Sequence, residues 1–308
     1  MWGESGYNSD STGQYRFYEA GDGAGNSLLE SGAMRIGFGK LMAASAVVVA
    51  VLIGVLMFRE PSPPSSSGAA PAGSPATLLL YCAAGLQPPV NEIMSAYEAS
   101  HHVHIELQVA GSGSLLSQIM LGGGDVFLAA DRLYLDQASQ KHLAPLIIPI
   151  AYQFPVILVR KGNPKGITGL NDLLNPDVRL SLADPQRAAI GKVVRGLLEK
   201  DDRWEALWKK AVTHRETVNE VGTDVKLVAA DAGIVWNTTA AQLPDLQVIH
   251  VPEFDHSKNE IAVGLLSSSK DPQVAHDFIH YLSDPDQGLR VFTRFGYEVV
   301  GTKPPAAR

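Results

Sequence analysis

Residues 77–131 read TLLLYCAAGLQPPVNEIMSAYEASHHVHIELQVAGSGSLLSQIMLGGGDVFLAAD, and the change of apolar period along this stretch decides the fold class. TLLLYCAA (77–84) has the length and tyrosine content of a buried strand. Pro88 and Pro89 then open a helix in which Val90, Ile93, Met94 and Tyr97 share one face. VHIELQV (103–109) alternates as a strand does, GSGS (111–114) leads into a helix over LLSQIM, and GDVFLAA (124–130) is again strand-like. Asp131 stands where it would cap a third helix, RLYLDQASQKH. This repetition of strand, small-residue loop and helix predicts an α/β protein with a parallel sheet covered by helices.

The pattern continues toward the C-terminus. FPVILVR (154–160), DVRLSLA (177–183), AGIVW (232–236), LQVIHVP (246–252) and EIAVGLLSS (260–268) read as strands. Helices are predicted near GLNDLL, over AIGKVVRGLLEK (189–200), VNEVGTDVKLVAA (218–230) and QVAHDFIHYL (273–282), and DQGLRVFTRFGYEVV closes the domain. Trp204 and Trp208, four apart, read as a packing stripe on one helix.

Toward the N-terminus the composition breaks sharply. LMAASAVVVAVLIGVLMF (41–58) carries no charge and, as a helix of roughly 27 Å, matches the hydrocarbon core of a bilayer. It is longer than the apolar region of a signal peptide, so a retained transmembrane anchor is expected, although the small residues near Ala70–Ala72 would suit cleavage. Arg35 and Lys40 precede the span and Arg59 alone follows it, which predicts a cytoplasmic N-terminus and an exported C-terminal part. Residues 1–40 are Gly-, Ser- and Tyr-rich without apolar periodicity and read as a disordered cytoplasmic tail, and REPSPPSSSGAAPAGSPA (59–76) as an extended tether.

Charge and cysteine content narrow the function. A net charge of −7 over 308 residues argues against nucleic-acid binding, which needs a basic stripe. A single cysteine excludes a disulfide framework and a Cys-rich zinc module; Cys82 reads as a buried strand residue. GSGS lacks the third glycine of a dinucleotide fingerprint, no phosphate-binding P-loop occurs, and Ser112 follows Ala110-Gly111 rather than the pattern of a hydrolase nucleophile elbow. His101, His102 and His104 fall at a helix-to-strand connection and do not suit one metal; Asp125 and Asp131 flank a strand as capping aspartates do.

Three loops between strand and helix are made of small residues: Ala83-Ala84-Gly85, Ala110 to Ser114, and Ala188 to Gly191. Each alone is also an ordinary βα turn. Together they allow close approach of a ligand to backbone N–H groups at helix starts, which bind oxyanions without lysine or arginine.

LLLYCAAGL (78–86), AGSGSLLSQI (110–119), GDVFLAAD (124–131), ADPQRAAIGK (183–192), TVNEV (217–221) with AGIVW (232–236), and VFTRFGY (291–297) resemble, in order and spacing, the periplasmic molybdate-binding proteins, solute-binding components of ABC transporters. The resemblance spans 77–297 and implies a two-lobed type II periplasmic-binding-protein fold, here preceded by one N-terminal transmembrane helix. It implies lobe 1 from 77–155 with 262–308 and lobe 2 from 156–261, the ligand lying between them. It also places Ser112 as a hydroxyl and N–H donor, and Ile190 and Val218 as backbone N–H donors. Two positions depart: Gly85 stands where the family has serine, and Trp236 where it has a hydroxyl-bearing tyrosine. The indole N–H still donates, so the departures bear on which anion fits.

The expectation is therefore a membrane-tethered monomer, not an enzyme and without cofactor, that captures molybdate, tungstate or a like oxyanion such as sulfate for a permease. Ser112, Ile190 and Val218 would contact the oxyanion's oxygens, with no direct metal ligand. The alternatives are a sensing or scaffolding protein whose tail meets a cytoplasmic partner, and an enzyme using Ser112 or Asp125 with a histidine.

Overall fold

Each apolar strand of the sequence finds its place in one of two sheets. The computed structural model describes residues 75–254 and 257–301. The first sheet begins with β1 (Ala76–Ala83), β2 (Val103–Ala110) and β3 (Val126–Ala129), joined by α1 (Gln87–Ser100) and α2 (Ser112–Met120). After α3 (Arg132–Gln140) comes β4 (Leu146–Gln153), and the late strands β10 (Asn259–Leu265) and β11 (Glu298–Val299) complete the order β11-β4-β10-β3-β1-β2. The second sheet has the order β7-β6-β8-β5-β9, from β5 (Pro155–Arg160), β6 (Leu180–Ala183), β7 (Thr213–Arg215), β8 (Ala232–Trp236) and β9 (Leu246–Ile249). Its helices are α4 (Ala189–Leu198), α5 (Arg203–Lys210), α6 (Val218–Lys226) and the short α7 (Asn237–Ala241); α8 (Pro272–Ser283) and α9 (Gly288–Arg294) follow β10.

The sheets are mixed, not parallel throughout. β1 runs parallel to β2 and β3, and β6 to β7 and β8, but β10 is antiparallel to β3 and β4, and β5 to β8 and β9. The cause is the path of the chain. β4 ends at Gln153 and β5 starts two residues later, in the other sheet. The chain returns after β9 to begin β10. β1, β3, β4, β6 and β8 all end on the side where the sheets meet, whereas β5 and β10 begin there, so both must run in reverse.

Four elements differ locally from expectation. The helix over 218–230 stops at Lys226, because Val228 adopts φ 63° and the Ala230 amide turns back to the Asp224 carbonyl. LQVIHVP leaves the sheet after Ile249, DVRLSLA joins it only at Leu180, and GLNDLL forms a 3-10 turn, Leu170–Leu174, rather than a helix. β4 was not legible, since LIIPIAYQ carries a proline and no alternation; the register shifts opposite Ile261 and Ala262, a bulge that accommodates Pro149.

The capping and packing roles are met directly. The Asp131 carboxylate accepts from the Leu133 amide at 2.8 Å, and Asp125 accepts from Leu79 N, Ser269 Oγ and Lys270 N, tying β1 to the turn after β10. Cys82 is fully buried on β1, and burial pushes its thiol pKa up. Trp204 and Trp208 stack at 5.3 Å, and His101 stacks on Tyr97 at 4.0 Å. The expected tail, membrane span and nearly all of the tether lie outside the described residues, and among the described residues no helix is long and apolar enough to cross a membrane.

Candidate ligand site between the sheets

The turn after β1, the starts of α2, α4 and α6, and the end of β8 converge. Gly85, Ser112, Ile190, Val218 and Trp236 line one small cavity, with Ala130 and a ring of alanines and glycine from the same loops. Ser112 and Val218 are the first residues of their helices and Ile190 the second of its own. Their amides therefore precede the point at which an intrahelical acceptor becomes available. Among the described residues, none of the amides of Gly85, Ser112, Ile190 and Val218 donates a hydrogen bond. Three helix starts facing one point also sum their partial positive charges there. No lining residue carries a formal charge.

The Ser112 side chain is buried, and its Oγ accepts from the Ala130 amide at 3.2 Å. The hydroxyl proton is thereby left to be donated into the cavity. Its other partner is not a histidine: among the described residues the Ala130 amide is its one hydrogen-bonding neighbour. Ala130 is held in turn by Gln153, whose side chain donates to the Ala130 carbonyl at 2.8 Å and accepts from Thr238 Oγ1 at 2.9 Å. Gln153 ends β4, so the site is bonded to the crossing point of the chain.

The two departures from the family pattern pack against each other. A Cβ built on Gly85 would meet Val218 Cγ1 at 3.1 Å, Thr239 Oγ1 at 3.3 Å and Trp236 Cδ1 at 3.8 Å. The large indole at 236 is accommodated beside a residue with no side chain at 85. Trp236 is 1% exposed, and the cavity it borders has a volume of about 10 Å³, near that of one water. A tetrahedral oxyanion, with five heavy atoms, enters only if the two lobes part.

Hydrogen bonds, mostly between backbone groups, hold the lobes together around this point. The amides of Gly113 and Ser114 donate to the Arg187 carbonyl at 2.8 and 3.3 Å, and Asn219 Nδ2 donates to the Ala84 carbonyl at 2.9 Å. A Cβ on Gly111 would collide with the carbonyl oxygens of Arg187 and Glu216, and glycine alone lets the chains approach this closely. Tyr297 Oη donates to the Gly85 carbonyl at 2.9 Å, and burial raises its pKa so that the proton stays in place. Asp131, next to the site, is also raised, mainly by burial, against the pull of its bond from Leu133.

The five residues expected from sequence thus meet at one place. Sequence reading passed over the Arg187 carbonyl, Asn219, Thr239 and Tyr297. Arg187 and Asn219 lie inside the motifs ADPQRAAIGK and TVNEV, and Tyr297 ends VFTRFGY, so proximity to those motifs was the available signal.

Two α/β lobes crossed twice by the chain, with a small uncharged cavity between their helix starts, define a two-lobed ligand-binding protein. The chain belongs to the bacterial extracellular solute-binding protein family, whose sequence profile matches residues 78–298. This is a family of solute-binding proteins, not of enzymes. A binding protein of Haemophilus influenzae is 28% identical over 224 residues, covering 72% of this chain and 91% of the relative. The molybdate-binding protein ModA of Mycobacterium bovis is 25% identical over 257 residues, covering 82% and 96%. Among solved structures, the sulfate-binding protein SubI of Mycobacterium tuberculosis has the same fold, with a TM-score of 0.64 at 18% identity, covering 73% of this chain and 88% of that one.

Proposed function

We propose that this protein captures a fully ionised tetrahedral oxyanion, molybdate or tungstate foremost, between lobe 1 (77–155, 262–308) and lobe 2 (156–261), and delivers it to an ABC transporter permease. The observation that carries this reading is that Gly85, Ser112, Ile190 and Val218, whose amides donate no hydrogen bond among the described residues, line one uncharged cavity together with the Ser112 hydroxyl. Such a site offers donors and no acceptor. A protonated phosphate would leave its own O–H unsatisfied there, at a cost of about 1–3 kcal/mol, whereas molybdate, tungstate and sulfate accept on every oxygen. Resemblance to the molybdate-binding ModA favours the larger anions.

The lobes open by rotation about the two crossing segments, β4 to β5 and β9 to β10, and close over the anion. The apolar run 41–58 anchors the protein in the cytoplasmic membrane, with 1–40 inside and the binding lobes outside, held near the permease by the tether 59–76.

Titration calorimetry of the full chain in detergent, with molybdate, tungstate, sulfate and phosphate in turn, tests the reading. Heat and a raised melting temperature are expected with molybdate and tungstate. No response to any of the four would overturn the oxyanion site, and preference for sulfate would overturn the molybdate assignment alone.

A further inference from the structure

Two hydroxyls that the resemblance leads one to expect are missing, at Gly85 and Trp236, yet a third hydroxyl stands beside them. Thr239, on α7, is 3% exposed, and among the described residues its Oγ1 is buried without a hydrogen-bond partner. The adjacent Thr238 is different: its hydroxyl is spent on Gln153. Thr239 Oγ1 lies 3.3 Å from the point where a Cβ on Gly85 would stand, in the direction a side chain at 85 would leave the backbone. Val218 Cγ1 and Trp236 Cδ1 frame the same point at 3.1 and 3.8 Å, and both residues line the cavity.

A buried hydroxyl without a partner is costly and rare in folded proteins. Here it stands directly beside Gly85, a lining residue without a hydroxyl, while Thr239 itself borders a neighbouring cavity with Asn219 and Gln242. We infer that Thr239 is a ligand-specificity residue: as the lobes part to admit a tetrahedral oxyanion, its hydroxyl donates to an anion oxygen, in place of a serine at 85. This rests on the oxyanion reading of the site. Selection follows from span: Thr239 Oγ1 stands 3.3 Å from where a Cβ at 85 would be. A hydroxyl given from α7 therefore bridges a longer gap than a serine at 85 would, which suits molybdate or tungstate over the smaller sulfate.

The test uses the full chain, Thr239→Val, Thr239→Ser and the double variant Gly85→Ser/Thr239→Ala, titrated with sodium molybdate and sodium sulfate. Thr239→Val keeps the shape and removes the hydroxyl. It is expected to weaken molybdate binding about tenfold or more, with a melting temperature in the absence of anion no lower than the parent's, because the lost hydroxyl had no partner. Thr239→Ser keeps the donor and should stay within about twofold. The double variant moves the hydroxyl to position 85 and should recover binding, with the preference shifted toward sulfate. If the parent binds molybdate and Thr239→Val binds it equally well, the assignment of Thr239 is overturned and the oxyanion site stands. If the parent binds neither anion, the site itself falls, and Thr239 with it.

Discussion

Ser112 does two things at once, and they are separable by mutation. Its oxygen satisfies the Ala130 amide, and its proton remains for an anion. Ser112→Ala removes both. Stability is expected to fall by about 1–3 kcal/mol, since the Ala130 amide is left buried and unpaired. Anion affinity should fall more than tenfold, measured by calorimetry at a temperature where the variant is folded. Loss of stability with unchanged affinity would show that the hydroxyl serves only Ala130. At this scale some of the site was legible and some was not. Small residues in loops before helices marked the stretches holding Gly85, Ser112 and Ile190, while Val218, and the donor roles of Ile190 and Val218, came from the resemblance. Thr239 did not, because its meaning depends on an absent side chain across the cleft, 154 positions away in sequence, and a threonine in NTTAA otherwise reads as ordinary helix. The Arg187 carbonyl could not stand out at all, since every residue has one.

Among the elements, strand identity was written in composition and strand direction was not. PVILVR and AGIVW are apolar enough to be buried in any sheet, and whether they pair parallel or antiparallel follows from where the chain crosses between lobes. The second sheet also carries a charged clasp. Asp231, just before β8, accepts from the Arg179 backbone at 3.0 Å and from its guanidinium at 3.1 and 2.9 Å, fixing the start of β8 to the start of β6. The Arg179 hydrogen bonds hold the Asp231 pKa at about 2, below the ordinary carboxylate value. A depressed carboxylate pKa contributes stability in full above the unfolded value of about 4, and loses it as pH falls through the folded one. Thermal melts between neutral pH and about pH 2 should therefore show a drop that begins near pH 4. Asp231→Asn should melt lower at neutral pH and lose less on acidification; parallel curves for parent and variant would remove the clasp from the acid response.

At the scale of the whole molecule, the binding domain and the proposed membrane anchor rest on different features of the sequence. Periodicity marks an α/β domain, the resemblance divides it into two lobes, and the expectation of an anchor rests on eighteen uncharged residues whose length as a helix would match a bilayer. If 41–58 anchors the chain, the full protein sediments with membranes and resists extraction by high salt, while a variant lacking 1–58 is released to the soluble fraction still able to bind anion. Release of the full chain by salt alone would count against the anchor. The closing contacts described above carry a consequence for how such a protein lets go of its cargo. Gly113, Ser114 and Arg187 meet through peptide groups, which neither titrate across the physiological range nor weaken greatly with ionic strength. Acidification or salt leaves these peptide contacts intact. Parting them exchanges peptide–peptide hydrogen bonds for bonds to water, at a small net cost that the medium hardly changes, so uptake and release follow anion concentration rather than acidity or salt.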